Sequence, residues 1–185
     1  SASNSVTPAG VPTGLYESIA TTTLNSTTST VTFSSIPSTF THLQLRVTAR
    51  SSSASSGGTY MTMQFNSDTG TNYSMHGVGG DGSSTFAEAY ASTLDQVYVQ
   101  RLPRNGSTAS VHAGIVIDIL DYANTNKYKT SRALGGYDAN GSGWIELTSG
   151  NWRNTNAITT ITLKSTGGSE SFLSDSKFAL YGIKG

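Results

Sequence analysis

The chain reads as an all-β protein, a jelly-roll-like β-sandwich of about eight to eleven short strands. Three observations predict this. Apolar residues recur with period two in block after block. Clusters of Gly, Asn and Ser separate the blocks. No segment carries a helical stripe longer than two turns, Ser84 to Leu94 being the nearest candidate, with Phe86, Ala87, Ala91 and Leu94.

Thr30 to Phe33 alternates polar and apolar, and His42 to Ala49 repeats the pattern. Met61, Met63 and Phe65 share one face, with Tyr60, Thr62 and Gln64 on the other. Val97 and Val99 alternate with Gln96, Tyr98 and Gln100. Val111 to Leu120 is apolar on both faces for most of its length, which predicts a central strand covered on each side. Ile161 and Leu163 alternate with Thr160, Thr162 and Lys164, and Phe178 to Ile183 closes the series. Between them, Ser51 to Gly58, Gly79 to Gly82, Asn124 to Asn126, Asn140-Gly141 and Gly167-Gly168 supply turns. Asn105-Gly106 after Pro103 predicts a hairpin turn. No internal repeat points to a propeller or solenoid.

The 185 residues suit one domain, placed at 14–185 and preceded by an arm or tail at 1–13. Eleven Lys and Arg balance eleven Asp and Glu. That argues against a basic nucleic-acid-binding face and against a polybasic membrane anchor. No apolar run approaches the ~20 residues of a membrane helix. Ser1 to Pro12 has neither the basic nor the apolar region of a secretory signal. Cysteine is absent, which removes disulfides, thiolate metal sites and a cysteine nucleophile. Charged residues make up 12% of the chain, against roughly 25% in ordinary domains. Ser and Thr, fifty-six in all, fill the difference. Outer strand faces built from hydroxyls keep β propensity with little charge repulsion. With net charge zero they favour association, and long strand edges with few Lys need covering. The expected state is a homo-oligomer.

Catalytic chemistry finds no foothold. The three His stand apart, without a second His or carboxylate at ligand spacing. Asp118 and Asp121 read as a sheet hydrogen bond and an Asx turn rather than a Ca²⁺ site, and the Asn66 to Gly70 loop reads as an Asx turn. Asp68-Thr69-Gly70 lacks the second carboxylate of an aspartic protease. No Gly-x-Ser-x-Gly elbow occurs. Glu17, Glu88, Glu146 and Glu170 all read as surface residues. The expectation is no catalytic residue, no metal and no cofactor. Trp144 and Trp152 remain, expected as core packing or subunit contact, with stacking on a sugar as the alternative.

Several stretches together resemble a family of tailed-phage virion proteins common in phages of aquatic bacteria and cyanobacteria. They are Gly14 to Ala20, Val31 to Pro37, Gln64 to Asp68, Ile117 to Lys129 and Phe178 to Gly185. The similarity runs in the same order from about Gly14 to the last residue. It implies a non-enzymatic virion component, with the capsid surface favoured over the tail. The form it favours is a capsid decoration (cement) protein, a jelly-roll homotrimer bound to the major capsid protein. Some members are tail-fibre or spike components, so a receptor- or glycan-binding role is the alternative. The expected interface residues are Val6, Pro8, Val11 and Pro12 of the arm, with Trp144 and Trp152. The expected partners are further copies of the chain and the capsid protein, with no nucleic acid and no membrane.

Overall fold

The computed structural model describes residues 14–166 and 170–185, and for Ser92 the backbone alone. The N-terminal arm, with Val6, Pro8, Val11 and Pro12, and the Gly167-Gly168 turn lie outside the described residues. Twelve strands are present among those described. They are β1 (Tyr16–Thr23), β2 (Thr30–Phe33), β3 (His42–Ala49), β4 (Gly58–Phe65), β5 (Tyr73–Gly80) and β6 (Thr85–Leu94), then β7 (Val97–Pro103), β8 (Ala113–Leu120), β9 (Lys129–Asp138), β10 (Gly143–Trp152), β11 (Ile161–Ser165) and β12 (Lys177–Ile183). All pair antiparallel, in one sheet ordered β1-β12-β3-β8-β9-β10-β5-β6 and a second ordered β2-β11-β4-β7.

The order contains a jelly roll. Without β5, β6, β9 and β10, the remaining strands form β1-β12-β3-β8 over β2-β11-β4-β7. Among these eight strands every successive connection crosses between the sheets except β4 to β7, as a double Greek key requires. The other four strands are two inserted hairpins, β5–β6 between β4 and β7, and β9–β10 between β8 and β11. Both extend the larger sheet beyond β8 and double its width. The β9–β10 turn is Asn140-Gly141, both at positive φ (66° and 94°), the conformation of a primed hairpin turn.

Leu43, Leu45 and Val47 of β3, Ile115, Ile117 and Ile119 of β8, and Phe178 and Leu180 of β12 line the core from the larger sheet. Val31, Phe33, Met61, Met63, Phe65, Ile161 and Leu163 line it from the smaller one. The alternation seen in the sequence of β2, β3 and β11 is thus the alternation of core and outside. Tyr122, fully buried, donates its hydroxyl to the Pro37 carbonyl and ties the end of β8 to the segment after β2.

Three sequence expectations need correction. Ser84 to Leu94 is not helical but the edge strand β6, where Phe86, Glu88 and Tyr90 turn toward the smaller sheet. Asn105-Gly106 forms a turn, closed by Ser107 N–H on the Arg104 carbonyl at 3.0 Å, but no hairpin. The buried Arg50 guanidinium gathers that loop, donating to the carbonyls of Asn105, Ser107, Thr108 and Val111 at 2.7–3.1 Å. Strand β8 is central, but only one of its faces is covered: Val116 and Leu120 stand exposed.

Ile117→Ala, at the centre of β8, should lower stability by about 2–5 kcal/mol. Urea unfolding followed by tryptophan fluorescence measures it. A loss under about 1 kcal/mol would place Ile117 outside a packed core.

Candidate functional site

The inserted hairpins carry a surface the jelly roll alone would lack. Opposed residues of an antiparallel pair lie on the same face of a sheet. On the outer face, one row runs Ala87–Val78–Leu147–Leu134–Val116 across β6, β5, β10, β9 and β8. Val78, Leu147, Leu134 and Val116 are all exposed. The next row toward the β9–β10 turn runs Gly80–Ile145–Gly136–Gly114, and Ile145, with 65% of its surface open, stands between glycines. The row on the other side is polar: His76, Ser149, Arg132, Asp118 and Gln44. A groove of 620 Å³ follows the glycine row and reaches Tyr137, Trp144 and the Asp81 and Asp138 turns.

Beneath this face the polarity is inverted. In β10 the inward residues include Glu146 and Thr148, while Ile145 and Leu147 point out. Thr148 Oγ1 donates to the Val99 carbonyl at 2.7 Å, and Gln100 Nε2 to the Glu146 carbonyl at 2.8 Å. Glu146 and Glu88 both accept from the Tyr60 hydroxyl, Glu146 at 3.2 Å. Arg101 pairs with Glu146 at 3.2 Å and approaches Glu88 at 3.6 Å. Its guanidinium lies 4.2 Å from the Trp144 ring centre, 4.3 Å from that of Tyr60 and 4.8 Å from that of Phe86. Two strands of each sheet meet in this cluster: β6 and β10 from one, β4 and β7 from the other.

Burial, and then the hydrogen-bonded neighbour Glu88, push the Glu146 carboxyl up to about 7, although Arg101 opposes them. Burial and the Glu88 carboxylate likewise raise the Tyr60 phenol. Asp68 moves the other way: burial acts against it, but the Trp152 indole N–H at 2.7 Å, Asn72 and the Gly70 N–H hold it below the usual range.

The residues singled out in the sequence do not converge. Trp144 lines the groove and stacks on Arg101. Trp152 is 1% exposed, packed on Phe65 and Tyr73 with its N–H spent on Asp68, so it is a core residue and not a contact surface. The Asp68 loop is the expected Asx turn. Asp118 accepts from Gln44 at 2.9 Å within the sheet, and Asp121 turns the chain at φ 47° and pairs with Lys127. Reading four Glu as surface residues fails for Glu146 and for Glu170, which accepts from Ser51 and Arg104 at 2.8 and 3.0 Å. Glu88 is half-buried, and Glu17 pairs with Lys184 near the surface. No group of three His, Asp or Glu that could hold a metal occurs among the described residues. Nothing in the sequence points to the Arg101 cluster, because its members are contributed by four separate strands.

No protein-family model matches the chain, and no curated protein or solved structure matches it.

The unfolded carboxyl titrates near 4.5 and the folded Glu146 near 7. The folded chain therefore holds that proton more tightly, and its contribution is full below pH 4.5 and lost as pH rises through about 7. Thermal unfolding between pH 5 and 8 should show stability falling by on the order of 2 kcal/mol, and Glu146→Gln should flatten that slope. A slope unchanged in the variant would assign the titration elsewhere.

Proposed function

We propose that the chain is a non-enzymatic structural protein of a tailed-phage virion. In this reading it is a capsid decoration protein that binds the major capsid protein as a homo-oligomer, a trimer by the resemblance, and stabilises the shell. The observation that carries the reading is the pair of apolar rows exposed on the outer face of β5, β8, β9 and β10. A free-standing soluble domain seldom leaves so continuous a patch open, and such patches mark contacts with other proteins. Zero net charge and few charged residues suit a chain that works in a large assembly.

The stretches that resemble the virion family support the same reading. Those at Gly14 to Ala20, Ile117 to Lys129 and Phe178 to Gly185 fold into or around β1, β8 and β12, which lie together with β3 in one half of the larger sheet. Decoration needs no chemistry, only many weak contacts made at once. A trimer on a local three-fold axis gains about 10²–10⁴ over one contact, because later contacts are intramolecular. The groove beside Trp144 and Tyr137, with hydroxyls and carboxylates around it, favours a second reading. There the chain is a tail-fibre, spike or receptor-binding component that stacks a sugar on an aromatic ring.

Quantitative mass spectrometry of purified particles separates these. Hundreds of copies per particle are expected for decoration, and tens or fewer would assign the tail. Absence from particles would reject the virion role altogether.

A further inference from the structure

We propose that the outer face of the inserted hairpins pairs with the same face of a second copy about a two-fold axis running between β9 and β10. The proposal rests on reading this face as an assembly surface, and it names the partner.

The register supplies the reason. A two-fold axis parallel to the strands places each row over itself with β10 facing β9 and β5 facing β8. The row assignments then fix who meets whom. Ile145 meets Gly136, and Gly136 meets Ile145, so the most exposed knob finds a position without a side chain. Leu147 meets Leu134, and Val78 meets Val116. Gly80 meets Gly114, leaving room beside the knob; a Cβ built on Gly114 touches nothing within 4 Å. In the polar row, His76 meets Asp118, a donor facing an acceptor on both sides of the axis. Bulk meets space, apolar meets apolar, and donor meets acceptor, each twice. An isologous contact needs this self-complementarity, and a contact with an unrelated protein would not. The twist of each sheet limits the close fit to the central strands.

The area is sufficient. About this axis six strands overlap, with β6 over β3, and at ~4.8 Å apart with about seven residues at ~3.3 Å each they present roughly 670 Å² per partner, about 1,300 Å² in total, at the lower end of a standard interface. The inverted interior agrees, since β10 places its carboxylate inward and its Ile and Leu outward.

A two-fold contact fixes parity. Alone it gives a dimer, and combined with a three-fold it gives a hexamer. Sedimentation equilibrium of the purified chain, from nanomolar to tens of micromolar, reads this directly. A hexamer is expected, or a dimer where the three-fold contact forms only on the particle; a monomer throughout, or a trimer, overturns the pairing. Ile145→Lys should weaken association at least thirtyfold, the order of a hot-spot loss. Gly114→Lys adds its side chain in open space, so folding should be kept, judged by the thermal midpoint, while association falls. His76→Asp should weaken the pair, and His76→Asp with Asp118→His should restore part of it. A Gly114→Lys chain that folds and associates like the parent overturns the proposal, as does a charge swap with no recovery. Particle location is measured separately, so an even-numbered oligomer absent from virions would reject the virion role and leave the pairing standing.

Discussion

Arg101 reaches from the smaller sheet between three aromatic rings to two carboxylates, and that contact decides which face of β10 points inward. Strand side chains alternate strictly, so turning Glu146 in turns Ile145 and Leu147 out. The opposite register would bury both apolar residues but take Glu146 and Trp144 away from Arg101, leaving it Glu88, Tyr60 and Phe86. Removing one partner of a buried ion pair costs about 3–5 kcal/mol. Leaving two large aliphatic side chains in water forgoes about 1.5–3 kcal/mol each. The terms are similar, so the observed register is tolerable alone and becomes clearly favourable once the outer face is covered.

The division of labour follows the topology. The eight jelly-roll strands hold a conventional aliphatic and aromatic core, with Leu43, Ile117 and Phe178 on one side and Met63, Phe65 and Leu163 on the other. The inserted hairpins extend that core with Tyr73, Met75, Ala133, Tyr137 and Trp152. They bring the polar cluster, the groove at Trp144 and the apolar row from Val78 to Val116. Function placed on insertions, with the scaffold left to stability, is what a widely reused sandwich allows. It also links the interior to the surface: Trp144 lines the groove and stacks on the cation that pairs with Glu146.

Much of the scaffold was legible in the sequence. Period two marked β2, β3 and β11, Asn140-Gly141 marked a turn, and the Asp68 Asx turn read correctly, whereas Asp121 turns the chain through its backbone carbonyl. What failed did so for physical reasons. Alternation locates a strand but does not say which parity faces the core, so Glu146 passed for a surface residue. In β6 the residues Phe86, Ala87, Ala91 and Leu94 mimic a helical stripe, although pairing with β5 sends Phe86 inward and Ala87 outward. The two apolar faces of β8 looked like a doubly covered strand; one of them is bare in the single chain. Trp152, expected as core packing or subunit contact, packs in the core.

The register of β10 can be tested by itself, because the chain contains no cysteine. Leu147→Cys and Thr148→Cys differ by one position and by which side of the sheet they occupy. Maleimide labelling of the folded protein at low concentration should modify the Leu147→Cys variant rapidly and the Thr148→Cys variant slowly. Raising the protein concentration should slow the Leu147→Cys variant alone. Rapid labelling of the Thr148→Cys variant, with the Leu147→Cys variant protected at every concentration, would contradict the inverted face and everything built on it.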